Sequence, residues 1–424
     1  RVRFSGVTGV AIDASEGGRV ALSDVLIEDL RADAAGAAGI LARPATVTAQ
    51  RTVLRRIPGR AIVAVGARAS LTFDDGAVRD IVGGSGLDVG VDANEGAAVT
   101  LRRVALGVVR DITLRASGAA TRGALTDVRI ESPEPALYAH GAEVLGGATL
   151  AATRVSVVNF RGLGPLVQGT GSSATFEDCA WRQLRGVGAM PAIALGVQSG
   201  ARVTVRRAQV RDVVGIGAYV RNARTTLAME DASFVDTDAS GLRVVLGVDG
   251  GAEATFARVH LQGGRGRQML AQGAGTRVTA DRVVLRDVAL DPTEPVAALM
   301  ADMRASMTLD HVRVSDVAPL HVNAINQGSL TLRDAMLDGA RRSASVMATG
   351  APGGIINYST AAIPYIMIAD TKSHVGNICR CELPAIYFVL RRHIFCIQIF
   401  LRYYVYRFIR IERRLKSFKN FRLQ

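Results

Sequence analysis

Six aspartates recur at one position of an internal repeat, and carboxylates stacked in this way are potential calcium ligands. They are Asp29, Asp80, Asp212, Asp236, Asp287 and Asp316. Asp212 with Asp236, and Asp287 with Asp316, belong to consecutive repeats and are predicted to lie side by side. Aspartate also hydrogen-bonds to its own backbone in tight turns. Because the surrounding residues supply no regular set of further oxygen ligands, the turn interpretation is favoured over a calcium site.

A second set of polar residues, the charge ladder, alternates in sign from one repeat to the next. Its predicted members are Asp24, Arg51, Asp75, Arg103, Asp127, Ala152, Asp178, Arg207, Asp231, Arg258, Arg282, His311 and Asp334. Neighbouring strands of a sheet lie roughly 4.8 Å apart, so opposite charges on adjacent strands attract and like charges repel. The alternation predicts that successive repeats stack in register and that a slip by one repeat is disfavoured. Ala152 interrupts it, and Arg258 with Arg282 is a pair of like sign.

These residues are positioned by a repeat that is marked by a small residue, the anchor, three residues before each ladder residue. The anchors, 23 to 29 residues apart, are Ala21, Thr48, Thr72, Thr100, Ala124, Thr149, Thr175, Thr204, Ala228, Thr255, Thr279, Thr308 and Thr331. The positions one and six residues after each anchor are apolar, and the alternation around them predicts short strands separated by a corner. A further strand follows in each repeat. Trp181 and Cys179 fall on inward positions and are predicted to lie in the core.

Short strands, tight corners and insertions confined to loops predict an all-β parallel solenoid of about 13 coils. Over residues 1–353 the pattern resembles the right-handed parallel β-helix of the pectin-lyase-like superfamily, and within it the uncharacterised bacterial repeat proteins. The resemblance, with the general preference for right-handed crossovers, implies right-handed coiling. It also implies an extracellular or cell-surface location.

The resemblance makes polysaccharide cleavage the first activity to consider. Polygalacturonase-like members carry Gly-His-Gly and Arg-x-Lys motifs. The nearest match here is Ala139-His140-Gly141, and no lysine precedes Lys372. A lyase-like Asp-His pair occurs as Asp310-His311, where His311 already belongs to the charge ladder. We therefore assign no catalytic residue, metal or cofactor, and calcium at the recurring aspartates is the one cofactor kept as a hypothesis.

Residues 354–424 differ in composition from the rest of the chain. They carry 12 of the 51 Lys and Arg residues but 3 of the 38 Asp and Glu residues, and all three lysines. The net charge of +13 therefore comes mostly from this tail and does not indicate a nucleic-acid-binding surface on the body. We predict that the tail is not part of the solenoid. Contact with an anionic membrane surface is the interaction expected for it. Zinc is disfavoured, because the spacing of His374, Cys379, Cys381, His393 and Cys396 fits no established zinc finger.

The expected function is that of a non-enzymatic, exported or surface-located scaffold that binds a partner. The sequence combines an ordered core with evenly distributed surface residues and shows no convergent chemical cluster. The partner is unidentified, with a polysaccharide or a cell-surface component as the expected class, and the chain is expected to be a monomer. The alternative is a polysaccharide lyase or glycoside hydrolase of the same fold.

Overall fold

The chain forms a long stack of short parallel strands. The computed structural model describes residues 1–337 with gaps at 35, 85, 133–137, 240–243, 290–296 and 319. It also describes the backbone of four later strands, Val346–Thr349, Ile355–Ser359, Ile366–Ile368 and Val375–Cys379. Every strand pairing found within these ranges is parallel and joins equivalent strands of successive repeats. The protein is an all-β parallel solenoid of about 13 coils, and the described part contains no helix.

Each coil contributes one strand to each of three sheets. The first sheet carries the anchors and consists of Arg19–Ser23, Thr46–Gln50, Ser70–Asp74, Ala98–Arg102, Arg122–Thr126, Thr149–Thr153, Ser173–Glu177, Arg202–Arg206, Thr226–Glu230, Glu253–Ala257, Arg277–Asp281, Ser306–Asp310, Ser329–Arg333, Ile355–Ser359 and Val375–Cys379. The second sheet consists of Val2–Ser5, Val25–Glu28, Val53–Arg55, Ala77–Ile81, Ala105–Val109, Arg129–Ser132, the start of Ser156–Gln168, Ala180–Arg185, Gln209–Arg211, Ser233–Val235, His260–Gln262, Val284–Ala289, Arg313–Ala318 and Met336–Leu337. The third sheet consists of Val10–Ala14, Ala37–Ala42, Gly59–Val65, Val89–Asn94, Ile112–Ser117, Ala139–Leu145, the end of Ser156–Gln168, Ala192–Gln198, Gly215–Arg221, Val244–Asp249, Arg267–Gln272, Ala297–Asp302, Leu320–Ile325, Val346–Thr349 and Ile366–Ile368.

The register of the first sheet agrees with the predicted anchors except in one coil. Thr72 pairs with Thr100, and the predicted pairing continues through the later anchors. Ala124, however, pairs with Ala151 and not with Thr149. The predicted anchor Thr149 was wrong by two residues, because a shift of two preserves the alternation of apolar and polar residues. The ladder member of this coil is therefore Arg154, and the assignment of Ala152 was wrong.

The interior of the coil is filled by the predicted apolar columns. Phe73 and Leu101 are fully buried on adjacent strands of the first sheet. Trp181 and Cys179 are each 2% exposed, as predicted, and the Trp181 ring packs edge-on against Phe176 at 5.6 Å between centroids. Burial on this scale along the whole stack supplies the main stabilisation of the solenoid.

The corner between the first and second sheets is a single residue in the left-handed conformation. All thirteen ladder residues, from Asp24 to Asp334 and now including Arg154, have φ between 46° and 56°. Asp and Asn adopt this region more readily than other non-glycine residues, whereas Arg does so rarely. Each corner links a strand of the first sheet to the following strand of the second sheet. The repeated conformation places the ladder side chains in one line along the solenoid.

Buried hydroxyl groups join the coils at the corner between the third and first sheets. Thr225 accepts a hydrogen bond from the Gly200 N–H of the preceding coil (2.9 Å) and donates to its own Arg221 carbonyl (2.8 Å). The same bond from a glycine N–H reaches Thr121, Ser172 and Thr276. Alanine occupies the equivalent position in the coils between them, Ala97, Ala148, Ala201 and Ala252. The hydroxyl contact therefore occurs in every second coil of this region.

The side chains of the C-terminal part of the chain, after residue 337, lie outside the described residues. Two compact units divide at residue 377, and the second one, 378–424, lies outside the described residues except for Ile378 and Cys379. The proposed domain boundary at residue 353 stays a prediction, as does the membrane contact of the tail. No helix in the described ranges has the length and apolarity needed to cross a bilayer.

Candidate functional site

The charge ladder consists of ion pairs that each join two consecutive coils. Arg103 donates from Nε to Asp75 Oδ1 (2.5 Å) and from Nη2 to Asp75 Oδ2 (2.9 Å). The same two-pronged contact, always from an arginine to the aspartate of the preceding coil, joins Arg51 to Asp24, Arg154 to Asp127, Arg207 to Asp178, and Arg258 to Asp231. Ten of the thirteen ladder residues, from Asp24 to Arg258, are thus brought together in five pairs, and each pair defines a two-coil module.

These contacts lower the pKa of the ladder carboxyl groups. The hydrogen bond from Arg51 lowers the pKa of Asp24 to about 2. The pKa values of Asp75, Asp127, Asp178 and Asp231 are likewise lowered, in each case chiefly by the hydrogen bond from the partner arginine. These five aspartates are therefore ionised at neutral pH and are not candidates for acid–base chemistry there.

The recurring aspartates of the calcium hypothesis lie at the corner between the second and third sheets. Asp212, Asp236, Asp287 and Asp316 all adopt the left-handed conformation, with φ between 52° and 54°. Asp287 accepts a hydrogen bond from Gln262 Nε2 (3.3 Å), and Asp212 lies 3.5 Å from Arg211. No cluster of three or more His, Cys, Asp or Glu side chains suited to a metal occurs in the described ranges. Calcium binding here stays a prediction.

The Asp-His pair singled out in the sequence lies in the ladder rather than in a separate site. His311 Nδ1 is 3.0 Å from Asp281 Oδ1, and its Nε2 is 3.7 Å from Asp334. Asp310 instead contacts Arg333 at 3.6 Å. Adjacent residues of a strand point to opposite faces or turn a corner, so adjacency in sequence did not bring the Asp310 and His311 side chains together.

A row of charged residues crosses three adjacent strands on the outer face of the third sheet. Asp92 pairs in register with Arg115, and Arg115 pairs with Glu143. The same column holds Val63 one coil before and Leu166 one coil after. A short run of charged residues in a column whose other members are apolar makes this part of the third sheet a candidate binding site. The groove that contains Asp92 and Arg115 is called the polar groove.

The polar groove contains buried polar atoms that have no hydrogen-bond partner among the residues that the structure describes. It has a volume of about 460 Å³ and is lined by Arg60, Asp92, Asn94, Glu95, Arg115 and Ser117 together with Val65 and Gly118. Asp92 is 2% exposed, and its Oδ2 lies 3.5 Å from Arg60. Neither Asp92 Oδ1 nor Arg115 Nε makes a hydrogen bond. Burial raises the pKa of Asp92, and the charges of Arg60 and Arg115 oppose that shift.

A histidine–carboxylate pair lies at the end of this row. His140 Nδ1 is 2.5 Å from Glu143 Oε1, and the two side chains are 25% and 13% exposed. Tyr138 packs edge-on against the His140 ring, with 6.2 Å between centroids, and donates a hydrogen bond to the Pro191 carbonyl (3.1 Å). A carboxylate that fixes the imidazole in this way also fixes which ring nitrogen is available to a ligand.

Sequence reasoning missed both parts of this site. The comparison with Gly-His-Gly directed attention to the neighbours Ala139 and Gly141. The side chain that contacts His140 is instead Glu143, three residues along the same strand. Asp92, Arg115 and Glu143 are 23 and 28 residues apart in sequence. An alignment of third-sheet strands by coil would have placed all three in one column, but insertions of variable length before these strands hide that register.

Comparisons with known proteins return β-helix structures. No protein-family model matches the chain, and no curated protein sequence matches it. Similar solved structures include a hyper-glycosylated TibA fragment (10% identity, 87% of this chain and 100% of that chain, TM-score 0.30) and the alginate lyase AlyF-OU02 (9%, 90% and 92%, 0.33). Another is the A-module of the mannuronan C-5 epimerase AlgE4 from Azotobacter vinelandii (13%, 85% and 91%, 0.24). At such identities and TM-scores the fold assignment rests on this chain's own strand pairings.

Proposed function

We propose that the protein is a non-enzymatic, exported or surface-located β-solenoid that binds a polysaccharide along the polar groove. The observation that supports this most directly is the pair of unpartnered atoms, Asp92 Oδ1 and Arg115 Nε, on adjacent strands. A buried acceptor beside a buried donor is costly unless a ligand completes both hydrogen bonds.

A sugar diol has the chemistry to satisfy both atoms at once. One hydroxyl group donates to a carboxylate such as Asp92, while its neighbour accepts from the Arg115 guanidinium. Arg60, which lies 3.5 Å from Asp92, and Glu143 at the end of the row extend the set of polar partners to further sugar units. The groove is shallow and follows the long axis of the stack, a shape that fits an extended chain better than a small compact ligand.

Affinity electrophoresis of the full chain in gels containing a neutral or a uronate polysaccharide tests this proposal. We expect Asp92→Asn and Arg115→Gln each to weaken binding at least about tenfold, equivalent to about 1.4 kcal/mol. Arg277→Gln is the matched control, because Arg277 is 73% exposed on the first sheet. Circular dichroism and thermal melting establish that each variant is folded. Equal retardation of wild type and both groove variants would exclude the groove as the binding site.

The His140–Glu143 pair favours a polysaccharide lyase as the second candidate. In that reaction His140 removes the C5 proton beside the uronate carboxyl group, the electron pair of that C–H bond forms a C4–C5 double bond, and the C4–O glycosidic bond breaks. The leaving oxygen takes a proton from water or from the protonated His140. Arg115, next to Glu143, has the charge to hold the uronate carboxylate. The alginate lyase and the mannuronan epimerase among the similar structures suggest alginate and other acidic glycans as the first substrates to test.

The two candidates are separated by incubating the full chain with alginate or polygalacturonate, with and without Ca²⁺, and following ultraviolet absorbance of the unsaturated product. The binding-protein proposal expects no product. Product formation that is lost in His140→Gln would establish the lyase instead. Loss of a Ca²⁺-dependent activity in Asp212→Ala or Asp236→Ala would in addition support the calcium hypothesis for those aspartates.

A further inference from the structure

The charge ladder changes its pattern at Arg282, where an arginine occupies the position of an aspartate. In the five preceding modules an aspartate coil comes first and an arginine coil follows. Arg282 lies in the coil after Arg258, and that coil carries the buried hydroxyl of Thr276, as the aspartate coils of Asp127, Asp178 and Asp231 carry theirs. The ladder lacks one carboxylate at this point.

The side chain of Arg282 has no acidic group to contact in the preceding coil. It turns to Asp281 in its own coil, with Nε and Nη2 at 2.9 and 2.8 Å from Oδ2. Asp281 is shared, because its Oδ1 also contacts His311 at 3.0 Å. Arg282 is 60% exposed, compared with 36% for Arg258. The carboxylate contacts of both guanidinium groups use Nε and Nη2 and leave the N–H groups of Nη1 available to a ligand.

A groove of about 540 Å³ opens at this break in the ladder. Its polar lining consists of Asp231, Ser233, Arg258, His260, Arg282 and His311. Asp231 is the one acidic residue of this lining, and both oxygens of its carboxylate accept hydrogen bonds from Arg258. Two carboxylates next to the lining also make contacts, Glu230 with Arg258 and Asp281 with Arg282. The side chains of Ser233 and His260 make no hydrogen bond to another group in the described part of the protein. The groove thus presents hydrogen-bond donors, among them the guanidinium N–H groups that these carboxylates leave unused, where the ladder lacks a carboxylate.

We propose that this groove, the oxyanion site, binds a sulfate, phosphate or carboxylate group between Arg258 and Arg282. The bound oxyanion takes the place of the missing ladder carboxylate and accepts hydrogen bonds from the two guanidinium groups, which match planar and tetrahedral oxyanions well. Ser233 and His260 supply further donors from the second sheet. The site is on a different face from the polar groove and does not depend on the proposed polysaccharide function.

Titration of the full chain with sodium sulfate, phosphate or acetate tests the oxyanion site, with sodium chloride holding the ionic strength constant. Binding is followed by the Hε1 NMR resonances of His260 and His311, assigned with His260→Gln and His311→Gln. We expect saturable shifts of both resonances with at least one oxyanion. Preference for acetate over sulfate and phosphate would identify a carboxylate ligand, and the reverse a sulfate or phosphate ligand.

Two substitutions of Arg282 distinguish loss of the site from loss of the fold. Arg282→Gln should weaken oxyanion binding at least tenfold. Arg282→Asp should abolish binding while the melting temperature stays at or above that of wild type, because it restores the alternation between Arg258 and His311. Arg277→Gln removes the same charge elsewhere and should bind as wild type. The proposal would be overturned if none of the three oxyanions shifted the His260 and His311 resonances more than chloride does. It would also be overturned if both Arg282 variants bound oxyanions as tightly as wild type.

Discussion

At the scale of the residue, the ladder arginines combine an unfavourable backbone conformation with a favourable contact. Arg51, Arg103, Arg154, Arg207 and Arg258 adopt positive φ, which L-residues other than Asn and Asp rarely do. Each is held by two hydrogen bonds to the aspartate of the preceding coil. The pair, rather than the conformational preference of arginine, accounts for its presence at these corners.

The ladder predicts a defined dependence of stability on pH, which Asp75→Asn reveals. Asparagine keeps the preference for positive φ but removes the charge that binds Arg103. Because Arg103 lowers the pKa of Asp75 below its ordinary value of 3.8, the stabilisation is present above pH 3.8 and is lost as the pH falls through the lower, folded-state pKa. Wild type should exceed Asp75→Asn in stability at pH 7, and the difference should shrink progressively as the pH falls below 3.8.

Urea unfolding at a series of pH values from 7 to 2 measures this difference. Asp80→Asn is the matched control, since Asp80 also has positive φ (59°) but no ion pair in the described structure. The difference in free energy of unfolding between wild type and Asp75→Asn could stay constant down to pH 2, or an equal difference could appear with Asp80→Asn. Either result would show that charge pairing is not its cause.

At the scale of the element, two kinds of contact alternate along the stack. Ion pairs join the two coils of one module, as between Asp178 and Arg207. Buried hydroxyl groups join one module to the next, as Thr225 does through the Gly200 N–H. Each coil in the central part of the solenoid is therefore attached to one neighbour mainly by charge at one corner, and to the other by a hydroxyl at a different corner.

Thr225→Val should destabilise the protein by about 1–3 kcal/mol, because it leaves the Gly200 N–H and the Arg221 carbonyl without this buried partner. Valine matches the shape of threonine, so packing is largely retained. Thr204→Val, at an anchor position on the outer face of the first sheet, should change stability by less than about 0.5 kcal/mol. Denaturant unfolding of both variants measures the two costs, and equal costs would contradict the assigned role of the Thr225 hydroxyl.

At the scale of the whole molecule, the two-coil module predicts which internal deletions the solenoid tolerates. Deleting residues 104–154 removes two coils and stacks Asp178 on Arg103, which preserves the alternation of charge and the hydroxyl contact. Deleting residues 104–127 removes one coil and stacks Arg154 on Arg103, which places like charges together and leaves a glycine N–H facing alanine. The longer deletion should therefore be the more stable protein.

Thermal and urea unfolding of the two deletion variants checks this order. A repeat protein loses stability roughly in proportion to the coils removed, so a simple length effect predicts the opposite ranking. If the one-coil deletion proved as stable as the two-coil deletion or more stable, the module would have no energetic meaning. Circular dichroism shows whether both variants retain the β-sheet structure.

The sequence by itself determined the fold class, the number of coils and twelve of the thirteen anchors. These follow from the period of two within strands and from spacings of 23 to 29 residues between repeats, which are local and regular. It also predicted the alternating charges, but placed one coil two residues out of register at Thr149, since a shift of two leaves the apolar pattern unchanged.

Only the tertiary structure decided the candidate sites. The row of Asp92, Arg115 and Glu143 comes from three coils, and loops of unequal length separate these residues in sequence. The left-handed corners, which direct each arginine to the aspartate of the preceding coil, likewise could not be predicted from the residue types, because arginine has no preference for that conformation. Periodicity specifies which residues share a column. Which of their atoms remain unpartnered depends on side-chain packing in three dimensions.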